Sequence, residues 1–274
     1  MDNKLGVMQG RLLPKYQGRY QAFPVGCWAD EFSLAQGFGL DLIEFILDYN
    51  GAEDNPLLRT GGCTEISLLS NQTGVFVETV CADYFMEAPL HSEDMTVVRT
   101  SVDILNRLIE SANRLQIRDI VLPCVEQSSL KAKGNEDRLV DVLNSFIPVL
   151  QSAEVNICLE TDLSPQAFRS LLDRLPFDCI TVNYDIGNSA SLGFCVEAEF
   201  NAYGHRVTDV HIKDRVLRGG PVPLGTGSAN FQQAFSTLKK IQYTGPLIMQ
   251  AYRDDEGIGI FKEQLAYVKA LFDE

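Results

Sequence analysis

The chain has 274 residues, of which 45% are hydrophobic and 22% charged, a composition typical of a globular protein with a substantial core. Its formal net charge of −14 argues against nucleic acid and anionic membranes as partners, because both are themselves anionic. Seven scattered cysteines without a C-x-x-C pair predict reduced, mostly buried thiols in a cytoplasmic protein. We find no sequence pattern of a signal peptide or of a transmembrane span.

Short apolar runs alternate with helical patterns along the whole chain. Each run is bounded by Gly, Pro, Asp or Asn, and its apolar character on both faces predicts a strand of a buried parallel sheet. The predicted strands are 4–9, 41–47, 74–80, 118–124, 155–160, 179–185, 206–213 and 246–252.

The segments between these runs predict helices. The clearest is 93–116, with apolar residues at helical spacing. A second covers 136–153, where Pro148 is expected to kink or shorten the helix. A third begins after Ser164, a candidate N-cap, with Pro165 in its first turn. Two more cover 229–241 and 258–272, and a weaker pattern lies at 55–71.

Eight strand–helix units without a linker predict a single (β/α)₈ TIM-barrel domain over residues 1–274. The main alternative is a doubly wound open sheet, which usually carries a glycine-rich phosphate turn after its first strand. That turn is missing here. Gly225 and Gly227 in "LGTGSANF" match only part of a dinucleotide fingerprint, and we interpret them as a tight loop.

In a barrel, the residues that end the strands meet at one mouth, where barrel enzymes place their chemistry. Glu160, Asp185, His211 and Gln250 end the last four predicted strands. Crowded carboxylates require a neutralising charge, and oxygen ligands with one imidazole suit Mn²⁺, Mg²⁺, Co²⁺ or Zn²⁺. The structural alternatives are a carboxylate bonded to backbone amides for Glu160, a turn cap for Asp185 and a core histidine for His211.

Other polar residues are expected near this mouth. We predict substrate contacts for Arg11, Glu78, Glu126 and His91, although a place on the loop surface is favoured for His91 over a substrate contact. Lys213 should lie on the same side of its strand as His211 and could reach a substrate oxygen or pair with a carboxylate. Arg11, Lys15 and Arg19 make the first loop basic, which suits either a phosphate or sugar acid, or plain solvation.

The motifs "GLDLIEF", "ICLETDL", "NYDIGNSA", "VHIKDR", "PLGTGSANF" and "GPLIMQAYRD" together resemble the xylose isomerase-like TIM-barrel superfamily, and within it the sugar phosphate isomerase/epimerase group. The resemblance implies a small-molecule carbohydrate substrate and barrels that often pair as homodimers. It also implies a divalent metal, often Mn²⁺, held by Glu160, Asp185, His211 and position 250. The family pattern usually has Glu at that fourth position, whereas this chain has Gln250.

The glutamine restricts the chemistry, because an amide can ligate a metal but cannot exchange a proton near neutral pH. Epimerisation with Glu160 and residue 250 as the two bases is therefore excluded. Proton transfer through an enediol, or loss of water, remains open with Glu160 as base and Lys213 or water as its partner. A second acid or base could also come from Glu78, Glu126, Asp254 or Glu256.

The same residues bear on two other possible functions. A barrel that only binds carbohydrate is the main alternative to an enzyme, and Gln250 is the residue that favours it. A DNA-repair endonuclease of the same superfamily is disfavoured, because the resemblance implies several metals held by many histidines. Only one of the three histidines of this chain is well placed for that role.

Overall fold

The computed structural model describes residues 3–273, and it describes the side chains up to Phe272. Eight parallel strands follow one another around a closed barrel, and the last strand pairs with the first. This architecture confirms the predicted (β/α)₈ barrel. The strands are β1 (Leu5–Met8), β2 (Leu42–Ile46), β3 (Thr79–Cys81), β4 (Asp119–Cys124), β5 (Asn156–Thr161), β6 (Ile180–Asp185), β7 (Val207–Ile212) and β8 (Leu247–Met249).

Helices surround the barrel and connect its strands. The described helices are α1 (Asp30–Gly37), α2 (Gly62–Thr73), α3 (Tyr84–Glu87), α4 (Met95–Leu115), α5 (Asn135–Ala153), α6 (Pro165–Leu172), α7 (Ile186–Leu192), α8 (Val196–Tyr203), α9 (Phe231–Lys240) and α10 (Ile258–Asp273). The predicted start of α6 is confirmed, because Ser164 Oγ accepts a hydrogen bond from the amide of Ala167 at 3.3 Å.

The proline inside α5 does not shorten the helix. The helix continues through Pro148 to Ala153, so the expectation of a shorter helix is wrong, and a kink at Pro148 stays a prediction. Pro148 and Asn144, the residue four positions earlier whose carbonyl loses its donor, are both exposed. Water can therefore satisfy that carbonyl, which reduces the cost of the missing backbone hydrogen bond.

The third strand is shorter and later than predicted. The apolar run 74–80 predicts a strand that ends at Val80, whereas β3 begins at Thr79, and Phe76 makes only an isolated bridge to Leu42. Glu78 therefore precedes the strand and lies at the N-terminal end of the barrel, where its carboxylate pairs with Lys4. The prediction that Glu78 contacts substrate at the mouth is corrected by this placement.

Both faces of the strands are buried, as the apolar runs predict. Cys81, Cys124, Cys158 and Cys179 are buried within or next to strands, and the cysteines of the described chain are free thiols. Within residues 3–273, none of the helices combines the length and the apolar character needed to cross a lipid bilayer.

Candidate metal centre and active site

A cavity of about 310 Å³ opens at the C-terminal mouth of the barrel. Residues that end or follow all eight strands contribute to its lining, among them Glu160, Lys213 and Gln250. The wall formed after β3 and β4 is acidic, with Asp83, Glu87 and Glu126, whereas the wall formed after β7 carries cations. This is the end of a TIM barrel at which catalytic residues are normally found.

Three predicted metal ligands come together beside this cavity, and Glu160 is the one that lines it. Glu160, Asp185 and His211 each offer one ligand atom, and the three atoms lie within 4.8 Å of one another. All three residues are buried. The register of the sheet places Asp185 directly beside His211, because β6 and β7 pair at these positions. Two carboxylates and one imidazole at this spacing are a donor set that fits a divalent cation.

Asp185 also has the structural role that was its alternative. Its Oδ1 atom accepts a hydrogen bond from the amide of Asn188 at 2.8 Å and so caps α7. The two roles are compatible, since a carboxylate has two oxygens with several lone pairs.

Asn183 lies two residues before Asp185 on the same face of β6, and it links two of the ligands. Its Nδ2 group donates to Glu160 Oε2 at 2.8 Å and to His211 Nδ1 at 3.0 Å. His211 Nδ1 also lies 3.6 Å from Glu160 Oε2. Nδ1 is thus the nitrogen that faces the other ligands.

Glu44 lies against the opposite nitrogen of the same ring. His211 Nε2 is 2.8 Å from Glu44 Oε1, and both side chains are fully buried. Glu44 thus lies inside the barrel, beside the ring of His211. A carboxylate beside the second nitrogen of a ligating histidine fixes the ring and its tautomer in many metal sites.

Gln250 follows β8, and both ends of its amide are hydrogen-bonded. Its Oε1 atom accepts from Lys213 Nζ at 2.9 Å, and its Nε2 atom donates to Gln21 Oε1 at 3.0 Å. Lys213 Nζ also lies 3.3 Å from Asp185 Oδ2, so the ion pair predicted as its alternative is present. A second lone pair on the Gln250 oxygen remains available for a cation.

Glu160 is held in a site that favours its protonated form. Burial raises the pKa of its carboxyl, and the nearby charge of Asp185 raises it further. Asn188 Nδ2 donates to Glu160 Oε1 at 2.5 Å, so both carboxylate oxygens have amide partners. A carboxylate with a raised pKa that lines a cavity is a suitable general base near neutral pH.

The structure does not bring two of the predicted substrate contacts into the cavity lining. Arg11 is buried below it and donates to Ala251 O at 3.0 Å, Tyr20 O at 3.2 Å and Gln21 Oε1 at 2.9 Å. It therefore connects the first loop to the end of β8. His91 is also buried, and burial together with the charge of Arg138 lowers its pKa to about 4.

The other acidic residues predicted near the mouth also differ in whether they line the cavity. Glu126 lines the cavity, as predicted, and its contact with substrate stays a prediction. Asp254 and Glu256 are exposed outside the cavity lining, and Asp254 accepts from the amides of Glu256 and Gly257. Neither is placed to supply a second acid or base.

Sequence reasoning missed several residues of the site. Gln21, Asn188 and Arg215 all line the cavity, and none of them ends a strand. For Asn183, the signal was its two-residue spacing from Asp185, which puts both side chains on one face of a strand. The loop residues Gln21 and Arg215 carry no such signal, because their positions depend on tertiary contacts.

A (β/α)₈ barrel with an acid–histidine cluster at its C-terminal mouth defines a class of barrel proteins built for small ligands and a metal. The family model described as "Xylose isomerase-like TIM barrel" matches residues 32–271. The chain belongs to this xylose isomerase-like TIM-barrel family.

Curated relatives and solved structures give a consistent comparison. L-ribulose-5-phosphate 3-epimerase UlaE of Salmonella typhi is 28% identical over 249 residues, which cover 85% of this chain and 86% of the relative. An E. coli 3-keto-D-glucoside 4-epimerase superposes with a TM-score of 0.75 at 15% identity, over 98% of this chain and 100% of the other. An L-ribulose 3-epimerase gives a TM-score of 0.76 at 17% identity, over 99% and 95%. These two structural matches show a shared fold.

Proposed function

We propose that this protein is a metal-dependent epimerase of a ketose or ketose phosphate that inverts a carbon next to the carbonyl. The observation that carries the proposal is the buried cluster of Glu160, Asp185 and His211, which reaches an open cavity through Glu160. The relatives support the substrate class, because L-ribulose-5-phosphate 3-epimerase of Salmonella typhi matches most of the chain.

Glu160, Asp185 and His211 would hold the divalent cation, with the oxygen of Gln250 as the fourth ligand. We propose Mn²⁺, which accepts mixed oxygen and imidazole ligands; Mg²⁺, Co²⁺ and Zn²⁺ are compatible with the same donors. When bound, the cation would polarise the substrate carbonyl and make the neighbouring C–H bond more acidic.

Glu160 is the proposed base. Its carboxylate lines the cavity, and the amides of Asn183 and Asn188 fix both of its oxygens. This fixed orientation reduces the entropic cost of reaching the transition state. Removal of a proton from the carbon next to the carbonyl leaves an enediolate and a protonated Glu160.

Inversion requires a proton donor on the opposite face of the carbon, and Gln250 cannot supply it. Lys213 Nζ donates to the Gln250 oxygen at 2.9 Å, so an ammonium stands beside the position at which the family pattern has its second glutamate. We propose that Lys213 returns a proton to the opposite face. Exchange with water then removes the proton from Glu160 and reprotonates Lys213.

The proposal is tested with protein purified without chelator. Its metal content is measured, and its turnover of ketoses and ketose phosphates is followed in D₂O by NMR. We expect a bound divalent metal and an epimeric product that carries solvent deuterium at the inverted carbon. An aldose as the product would instead indicate one-base isomerisation between the first two carbons.

Two outcomes would overturn the enzyme proposal. Protein without bound metal that stays inactive after Mn²⁺ is added would contradict it. Tight binding of a sugar without any deuterium exchange would favour a carbohydrate-binding barrel instead. Pairing into a homodimer stays a prediction, which light scattering of the purified protein checks.

A further inference from the structure

The cations of the cavity lining differ in what neutralises them. Arg19 makes a bidentate ion pair with Asp48, and Lys213 is held by Asp185 and Gln250. Arg215 forms no ion pair with a carboxylate of residues 3–273. Its described partners are neutral oxygens, Asn188 Oδ1 at 2.8 Å and the carbonyl of Gly219 at 2.9 Å.

These two bonds leave most of the guanidinium available. Arg215 uses Nε–H for Gly219 and one N–H of Nη1 for Asn188, so one N–H of Nη1 and both of Nη2 have no acceptor in the described chain. Arg215 is half-buried in the cavity wall. A fixed guanidinium edge of this kind matches the geometry of a phosphate or a carboxylate.

Hydrogen bonds within the loop that carries Arg215 fix its conformation. Arg215 and Pro221 form an antiparallel bridge. Buried Asp214 accepts hydrogen bonds from the amides of Gly225, Gly227 and Ala229 at 2.8–3.1 Å. Gly227 is required there, since a Cβ atom would lie 2.2 Å from Asp214 Oδ1. Arg215 is therefore presented by a preorganised loop, which lowers the cost of binding a ligand.

The distribution of charge in the cavity also favours one orientation of an anionic ligand. Asp83, Glu87 and Glu126 line the wall formed after β3 and β4, whereas Lys213 and Arg215 line the wall formed after β7. An anionic group would be repelled from the first wall and attracted to the second. Hydroxyl groups, which donate hydrogen bonds to carboxylates, suit the acidic wall.

We propose that Arg215 binds the phosphate of a phosphorylated ketose, so that the substrate is the sugar phosphate and not the free sugar. This inference rests on the proposed epimerase function. Asn188 bridges Arg215 Nη1 and Glu160 Oε1, so one side-chain amide separates the anion site from the proposed base. A phosphate two or three carbons from the reacting carbon spans such a separation.

The test compares a ketopentose with its 5-phosphate on the wild-type holoenzyme and on Arg215→Ala and Arg215→Lys. We expect Arg215→Ala to lower kcat/KM for the 5-phosphate by about 100-fold and to change that of the free ketose by less than about threefold. Arg215→Lys keeps the charge but loses the planar fork, so it should fall in between. Arg218→Ala, an exposed change in the same loop outside the cavity lining, should match the wild type.

A binding measurement separates this inference from the proposed function. Calorimetry of inorganic phosphate and of the 5-phosphate should show at least about tenfold weaker binding to Arg215→Ala, with an unchanged melting temperature. If no variant turns over any sugar but this difference is found, the epimerase proposal fails and the phosphate site stands. Equal phosphate binding by wild type and Arg215→Ala, or equal losses for both substrates, would overturn the site.

Discussion

The two sides of the barrel mouth carry similar charged residues, but these residues differ in whether they are paired within the protein. On the side of β1–β4, the Arg11 guanidinium bonds to oxygens of Ala251, Tyr20 and Gln21, and the charge of Arg19 is neutralised by Asp48. On the side of β5–β8, the ligand atoms of the metal cluster face one another, and Arg215 keeps a free edge.

This difference separates residues that hold the fold from residues that meet a ligand. An arginine that is bonded within the protein or neutralised by a carboxylate contributes stability, and its removal leaves its partners without that interaction. Residues with unmatched charge are kept at a cost in stability, which is typical of functional sites. Changes on the first side should therefore lower stability, and changes on the second should lower activity or binding.

The largest expected effect is that of Glu160→Gln on activity. We expect kcat to fall about 1000-fold or more, and solvent deuterium exchange to be lost, because the amide cannot take a proton. The melting temperature is measured alongside, because the new NH₂ group would face the donating amide of Asn183 or Asn188. Glu197→Gln, an exposed change on α8, serves as the control. Deuterium exchange that persists in Glu160→Gln would show that the base is another residue.

Arg11→Met tests the opposite side. It should lower the free energy of unfolding by about 2 kcal/mol, because the buried carbonyl of Ala251 and the partly buried carbonyl of Tyr20 lose their donor. Urea denaturation measures this loss, with the exposed change Arg114→Met on α4 as control. A loss of substrate affinity without a loss of stability would instead support the prediction that Arg11 contacts substrate.

Glu44→Gln tests the residue beside His211, the proposed metal ligand. Because Glu44 faces His211 Nε2 at 2.8 Å, the change should weaken metal affinity about 10- to 100-fold by loosening the ring and its tautomer. Competition with a chromophoric chelator measures this affinity independently of activity. Glu53→Gln, which is exposed, should leave it unchanged. Equal affinities for Glu44→Gln and the wild type would mean that Glu44 does not position the ring.

The smallest expected effect concerns His91 and pH. Its folded-state pKa of about 4 lies below the ordinary value of 6.5, so the unfolded chain takes up a proton first as the pH falls. Stability should therefore be lost on acidification, by about 1 kcal/mol between pH 6.5 and pH 5.5. Urea denaturation of wild type and His91→Asn at both values measures this. The same pH slope in both proteins would contradict the assignment.

The sequence predicts the barrel and its central site for a physical reason. Eight buried strands alternate with helices, and Glu160, Asp185 and His211 each stand at or near the end of a strand, so local pattern and topology suffice to bring them together. The prediction that Glu78 lies at the mouth was wrong, because the apolar run 74–80 has the residue pattern of a strand although β3 begins only at Thr79. The contrast between Arg11 and Arg215 could not be predicted, since it depends on partners such as Ala251 that are distant in sequence.

The hydrogen bonds of the Gln250 amide restrict which substitutions this site can accept. Gln250 donates to Gln21 Oε1, Arg11 donates to the same oxygen, and Gln21 Nε2 donates to Asp83 at 2.7 Å. A glutamate at position 250 would set its carboxylate oxygen against that acceptor. Turning the Gln21 amide would in turn face its oxygen to Asp83 and deprive Arg11 of its partner. The two amides are therefore physically coupled, and we expect Gln250→Glu to be less destabilising when it is combined with a second substitution at position 21.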